Sequence, residues 1–153
     1  LCDNAEYVFF LWNILNFEIQ LYIHHKSYNM KRIIHTEKAP KAVGPYSQAV
    51  ENNGMLFISG QVPVNPQTGT IPEDITAQTQ QVMENIKAII EEAGYSMKNI
   101  VKCTCLLDDM DNFKAMNEVY ATYFPTEPPA RAAFGVVKLP LGVKVEIEAI
   151  AMK

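Results

Sequence analysis

Histidine is the scarcest of the chemically versatile residues in this 153-residue chain: His24, His25 and His35 are all there are, and only His35 lies beyond residue 29. A Ser-His-Asp triad or a histidine-rich zinc site is hard to assemble from that supply. Cysteine is equally sparse, and Cys2, Cys103 and Cys105 form no secreted disulfide framework. Cys103 and Cys105, two positions apart, would share one face of a strand as reduced core thiols of a cytoplasmic protein. Basic residues do not exceed acidic ones: 13 stand against 17, for a formal charge of −4. That balance argues against a strong nonspecific phosphate-binding footprint. Phosphate loop, dinucleotide fingerprint and metal-binding repeat are all lacking, since Gly54 and Gly60 do not have the spacing of such motifs. Neither a metal nor a cofactor is expected, nor a stable nucleic-acid or membrane partner.

What is present divides near Met30. The apolar, aromatic run from Tyr7 to Ile23 holds the only tryptophan, Trp12, but Asn13, Asn16, Glu18 and Gln20 interrupt it, so it falls short of a membrane span. It has no basic region ahead of it and no small-residue cleavage motif, which makes it a poor secretory signal. Residues 1–29 are therefore read as an extension that the following domain does not need. Two readings of it stand: a stretch upstream of a natural initiator at Met30, or an appended helix or membrane-surface segment. The second would leave an organelle open as the location.

Residues 30–153 have the length and patterning of one domain with its own core. Short strands are expected at Lys31–Thr36, Tyr46–Glu51 and Met55–Ser59, the last two joined by the turn Asn52-Asn53-Gly54. Pro63–Asp74 reads as a long loop of the kind that walls a site. Thr76–Ala93 turns to helical spacing, with Val82, Ile86, Ile89 and Ile90 on one stripe, Gln78 and Gln81 largely outside it, and Gly94 as the stop. Val101, Cys103, Cys105 and Leu107 alternate along a strand. Asp111 is placed to cap a second helix carrying Phe113, Met116, Tyr120 and Phe124, which Pro125 ends. A strand begins near Ala130, and the alternation of Val143, Val145, Ile147, Ala149 and Ala151 marks the last. The order implies an α/β (α+β) fold in which two helices cover one face of a sheet. The other face would carry Glu146, Glu148 and apolar groups, a mixture that one sheet layer cannot bury alone, so subunit association is expected.

Arg131, at a strand entrance after Pro128-Pro129-Ala130, is suited to clamp a carboxylate with two parallel hydrogen bonds; a surface or interchain salt bridge is the plainer alternative. Glu146 and Glu148 point to the same side of a strand and can divide acid and base roles, or merely pair with Lys144, Lys102 or a neighbouring chain. Gly44-Pro45-Tyr46-Ser47-Gln48 and Ser59-Gly60-Gln61 put hydroxyls, amides and bare glycine backbone near strand ends, where they serve either a polar pocket or turn geometry. Asn117 can orient a ligand or cap a loop.

Taken together, Gly44-Pro45-Tyr46-Ser47-Gln48, Ser59-Gly60-Gln61-Val62-Pro63, Pro129-Ala130-Arg131 and Val145-Glu146-Ile147-Glu148-Ala149 resemble, in their order, the motifs of the Rid family and within it the reactive intermediate deaminase A group. The resemblance spans residues 31–153. It implies a chorismate-mutase-like fold and a homotrimer whose sheets form a central barrel, with sites between subunits. It also implies hydrolysis of 2-imino acids such as 2-iminopropanoate and 2-iminobutanoate, which arise when pyridoxal-phosphate dehydratases act on serine or threonine. Arg131 would bind the carboxylate, Glu146 would position water, and Tyr46, Ser59, Gly60, Asn117 and Ala133 would line the pocket. Many relatives have cysteine where this chain has Ala133, which rules out a thiol nucleophile there. The same resemblance leaves RNA cleavage, translation inhibition, and noncatalytic metabolite binding or a chaperone-like role as alternatives.

Overall fold

The computed structural model describes the backbone of residues 4–27 and 31–153 and the side chains of residues 9–20 and 31–153. The chain divides into two compact units, Leu1–Lys31 and Arg32–Lys153; the expected boundary at Met30 itself lies outside the described residues. In the first unit, helix α1 (Asn4–Ser27) exposes Phe9, Phe10, Trp12, Leu15 and Phe17 on all sides rather than along one stripe. Among the described residues no helix is long and apolar enough to cross a membrane.

The second unit is built on a six-stranded sheet. Its strands are β1 (Arg32–Ile34), β2 (Ala49–Asn52), β3 (Met55–Gln61), β4 (Ile100–Leu107), β5 (Ala130–Gly135) and β6 (Val145–Met152), in the spatial order β1-β2-β3-β6-β4-β5. All neighbours are antiparallel except β4 and β5. A parallel pair needs a crossover, and helix α3 (Phe113–Tyr123) supplies it between β4 and β5. Helix α2 (Ile75–Glu92) makes the other crossover, from β3 to β4, leaving between them the slot that β6 fills.

Both helices pack on one face. The stripe of α2, Val82, Met83, Ile86, Ile89 and Ile90, is fully buried against Leu56, Ile58, Ile147, Ala149 and Ala151, and each such side chain contributes roughly 1.5–3 kcal/mol by leaving water. The helix stops as expected: Gly94, at φ 81°, donates to Glu91 O while Tyr95 N donates to Ile90 O, the paired bonds of a glycine-terminated helix. The hairpin turn also forms, with Asn53 and Gly54 both at positive φ (52° and 73°).

Four local expectations are corrected. Tyr46 and Ser47 are not in a strand, because the buried Gln48 amide ties this stretch to the preceding loop through Thr36 N, Thr36 O, Ala39 O and Pro40 O. Val101 faces outward, since the β4–β6 register shifts between Ile100 and Lys102 and a bulge there breaks the alternation. Asp111 caps nothing; Asp109 Oδ1 accepts from Asp111 N at 2.9 Å and caps a short 3₁₀ turn, Met110–Asn112, that runs directly into α3. Gln78 is buried, not outside the stripe, because its amide donates to Pro72 O (2.8 Å) and accepts from Lys144 N (2.8 Å).

Within the second unit no helix covers the opposite face of the sheet. Ile33, Val50, Phe57, Ile150, Lys102 and Ala130 form one directly paired row across all six strands, with Glu148, Thr104 and Ala132 in the next row and Glu146, Leu106 and Phe134 in the one beyond. Ile33, Phe57, Phe134 and Met152 are exposed there.

Candidate active site

Arg131 ends a row of the helix-covered face that is otherwise apolar: Ile34, Ala49, Ile58, Ala149, Cys103, Arg131. Its half-buried side chain reaches α3, where the guanidinium carbon lies 4.6 Å from the centre of the Tyr120 ring and 5.5 Å from that of Phe113. Among the described residues Arg131 has neither an ion pair nor a hydrogen bond from its side chain, so of the surface and interchain salt bridges expected as the alternative, the surface one is not seen and the interchain one lies outside a single chain. Asn117 sits between Phe113 and Tyr120 on the same stripe of α3 and is half-buried. Ala133, two residues along β5, shares the Arg131 face. Beneath them Cys103 and Cys105 are free and buried. Burial pushes the Cys103 thiol up and the Cys105 thiol up to about 12, which leaves both as core thiols.

A second group forms elsewhere. The β3–β6 pairing shifts register between Ile58 and Gln61, which lets the backbone at Ser59-Gly60 bulge. The Glu146 side chain lies directly on the Cα of Gly60: a methyl group added there would overlap the carboxylate, with Cδ at 2.9 Å and Cγ at 3.2 Å. Gly60 is thus glycine for close approach and not for its φ. Ser59 Oγ donates to Ser47 O at 2.7 Å and Ser59 N to Gln48 O at 3.0 Å, which fastens the Tyr46 segment alongside. Tyr46, Gly60, Gln61 and Val62 line a cleft of about 280 Å³ whose other wall is the expected loop, at Val64, Asn65, Pro66 and Gly69. That loop is held from below by Asn85, whose Nδ2 donates to Val62 O (3.0 Å) and Val64 O (3.1 Å). Sequence reasoning offered Gln48 and Gln61 to the pocket. Both line the cleft, but the Gln48 amide is engaged by the backbone and Gln61 Nε2 donates to Ser59 O.

Burial, and then the charge of Glu148, raise the Glu146 pKa above the ordinary carboxylate value. Among the described residues neither glutamate forms an ion pair, so the pairing with Lys144 or Lys102 is not seen. A half-buried carboxylate with a raised pKa holds a proton more readily than an exposed one, which suits it to proton transfer.

The seven expected site residues therefore fall into two groups: Arg131, Asn117 and Ala133 on the helix side of edge strand β5, and Glu146, Gly60, Ser59 and Tyr46 around the β3 bulge. Arg131 and Glu146 are separated by β4 and lie on opposite faces of the sheet. Within one chain they do not form a single site. The role of Phe113 and Tyr120 beside Arg131 was missed, because their helical spacing reads only as core.

Comparison with known proteins gives the family and the fold. The family model described as Endoribonuclease L-PSP matches residues 36–153. A RutC family protein of Pyrococcus horikoshii is 56% identical over 125 residues, 81% of this chain and 99% of the relative. TdcF of Escherichia coli, whose name provisionally makes it a reactive intermediate deaminase, is 46% identical over 127 residues, 81% of this chain and 98% of its own. Among solved structures, that of E. coli TdcF with bound serine has a TM-score of 0.78 at 46% identity, covering 80% of this chain and 98% of its own. A protein of Thermotoga maritima, provisionally described as an endoribonuclease, has a TM-score of 0.79 at 50% identity, covering 81% and 98%. Six strands with helices on one face are the chorismate-mutase-like α+β fold that the motifs implied. The chain belongs to the endoribonuclease L-PSP family, the family of the Rid proteins.

Proposed function

We propose that residues 30–153 hydrolyse small 2-imino acids to 2-oxo acids and ammonia, at sites completed between copies of the chain. The observation that carries this reading is Arg131: a half-buried arginine with no acid partner among the described residues, packed on the stripe of α3 that also carries Asn117. Such a group suits a small carboxylate, which it can hold with two parallel charge-assisted bonds. The serine in the TdcF structure is a small molecule with a carboxylate and a nitrogen on the adjacent carbon.

The chemistry asks little more. The protonated imine carbon is already electrophilic, so a held water and modest proton transfer suffice. Glu146 accepts a proton as the water oxygen bonds to C2 and the C=N π pair passes to nitrogen, giving a carbinolamine. Glu146 then passes the proton to that nitrogen, the C–N bond breaks as the hydroxyl returns a proton to Glu146, and the 2-oxo acid and ammonia leave, ammonia taking up the remaining proton as ammonium. No cofactor enters, although a pyridoxal-phosphate dehydratase acting on serine or threonine is a natural source of the substrate.

Because Arg131 and Glu146 face away from each other in one chain, a second copy must bring its Arg131 group to the Gly60–Glu146 group of the first. The sheet face that no helix of the second unit covers, with Ile33, Phe57, Phe134 and Met152 exposed, is the surface on which copies would pack, and a trimer with three such sites satisfies both needs.

The test is the release of ammonia from freshly generated 2-iminopropanoate, with sedimentation of the same sample. Acceleration over buffer that is lost in Arg131→Ala and in Glu146→Gln, and partly regained when the two variants are co-expressed, supports both the reaction and the shared site. Undiminished acceleration in Arg131→Ala refutes the clamp. Binding of the acid without turnover makes the protein a metabolite-binding module, and cleavage of RNA in its place would favour the activity in the family's name.

A further inference from the structure

The Arg131 guanidinium needs support, and a carboxylate would be the wrong kind. An acid at this position would neutralise the charge and occupy the N–H fork that the substrate requires. The structure offers aromatic faces instead: Tyr120 at 4.6 Å and Phe113 at 5.5 Å from the guanidinium carbon. A ring attracts a cation through its π face and takes no hydrogen bond from the fork.

Resting on the deaminase reading, we propose that Phe113 and Tyr120 are positioning residues, which act on substrate through Arg131 by fixing the guanidinium while leaving its N–H donors free for a carboxylate. The support is rigid. Tyr120 is 4% exposed and its ring packs on Phe124 with centroids 4.8 Å apart, next to the fully buried Met116. Phe113 and Tyr120 bracket Asn117 along α3, so one helix face sets both the arginine and the amide.

The phenol hydroxyl indicates which part of Tyr120 is in use. It is buried without a nitrogen or oxygen partner among the described residues, and the Cys103 thiol beside it is only a weak hydrogen-bonding group. A leucine or phenylalanine would avoid that unfavourable burial. The ring face is what a leucine would lack, and a phenylalanine would keep it. The two substitutions therefore separate the proposal from a role in packing alone.

The experiment measures KM and kcat for 2-iminopropanoate, and independently the affinity for pyruvate by NMR titration, in the full chain. Tyr120→Leu is expected to raise KM and weaken pyruvate binding roughly tenfold, with Phe113→Leu less affected because its ring is farther away. Because the carboxylate is held equally before and during reaction, kcat should stay within about twofold. Tyr120→Phe restores wild-type values, and Tyr120→Leu adds nothing when Arg131 is already alanine. Wild-type pyruvate affinity in folded Tyr120→Leu overturns the proposal, as does a loss in Tyr120→Phe equal to that in Tyr120→Leu. If Tyr120→Leu does not fold, Phe113→Leu and Tyr120→Phe still decide: weaker pyruvate binding in the first with none in the second supports the cradle, and any other pattern rejects it. Absence of imine hydrolysis by the wild type refutes the deaminase reading alone, since pyruvate affinity still reports on the arginine. Absence of pyruvate binding as well refutes both.

Discussion

Replacing Gly60 by alanine should disable the proposed imine hydrolysis while barely loosening the fold. The backbone at Gly60 is not in the left-handed region, so an alanine meets no conformational strain there. What it meets is Glu146, and the atoms crowding the new methyl are the carboxylate oxygen, Cδ and Cγ of that one side chain. All three belong to the end of a flexible chain, which can swing aside. Moving it off its preferred rotamer costs roughly 0.5–1.5 kcal/mol, a modest loss against the stability of a domain. The chemistry has no such latitude: a displacement of about 1 Å in a group that holds the attacking water lowers the rate by about a hundredfold, equivalent to about 2.7 kcal/mol in the barrier. The assay pairs urea unfolding, at fixed protein concentration, with steady-state kinetics on 2-iminopropanoate. The expected result is a fall in kcat of roughly two orders of magnitude with little change in stability. In a Glu146→Ala background the same substitution should have no further effect, because the side chain it displaces is gone. A wild-type kcat in Gly60→Ala would refute the claim that Glu146 acts from this position. A rise in KM alone would mean that the methyl merely narrows the cleft, and a further loss in the Glu146→Ala background would give Gly60 a role of its own.

Other outcomes can be checked with the same preparations. The Glu146 pKa is raised by burial and then by Glu148, so activity that needs the carboxylate should switch on with rising pH above the ordinary carboxylate range, and Glu148→Gln should move that limb to lower pH. For stability the sign is opposite: the folded state holds the proton more tightly than the unfolded one, so this group's contribution falls as pH rises from its unfolded value through the raised one, which urea midpoints across that window would detect. Gln48→Leu strands Thr36 N and three carbonyls that the amide now satisfies, and should cost about 2–4 kcal/mol, read from urea unfolding. Cys103 and Cys105 should resist alkylation in the native protein at pH 8 and react once it is unfolded, as mass spectrometry of the peptides would show; labelling of the native thiols would contradict their burial.

Much of the fold was legible because each element announces its own period. The alternation along β6, the isoleucine stripe of α2 and the Asn53-Gly54 turn are all local signals, and each stands where it was read. The misplaced features have distant causes. Gln78 is polar at a position that looks outward until the loop at Pro72 and the backbone of Lys144 come to meet it. Tyr46 leaves the strand because Gln48 is tied to residues that precede β2. Val101 turns outward at a bulge that exists only because β6 lies beside β4.

The site was legible residue by residue but not as a place, and the reason is parity. Side chains alternate along a strand, so faces can be assigned within β5 and within β6 from sequence alone, but the phase between the two strands depends on the register of β4 lying between them. That register pairs Arg131 with Cys103 and Cys103 with Ala149. Glu146 lies an odd number of residues from Ala149, and this puts its side chain on the opposite face from Arg131. Nothing local reveals that β6, the last strand made, enters between β3 and β4. Once it does, no rotamer of either side chain can bring the guanidinium and the carboxylate to one substrate through the sheet. The proposed catalysis by this pair therefore requires a second copy, and the exposed Ile33, Phe57, Phe134 and Met152 mark the face on which that copy would pack. If co-expressed Arg131→Ala and Glu146→Gln chains form mixed assemblies of native size and regain no activity, these two residues do not share a site, and the parity of the sheet has no bearing on how the protein works.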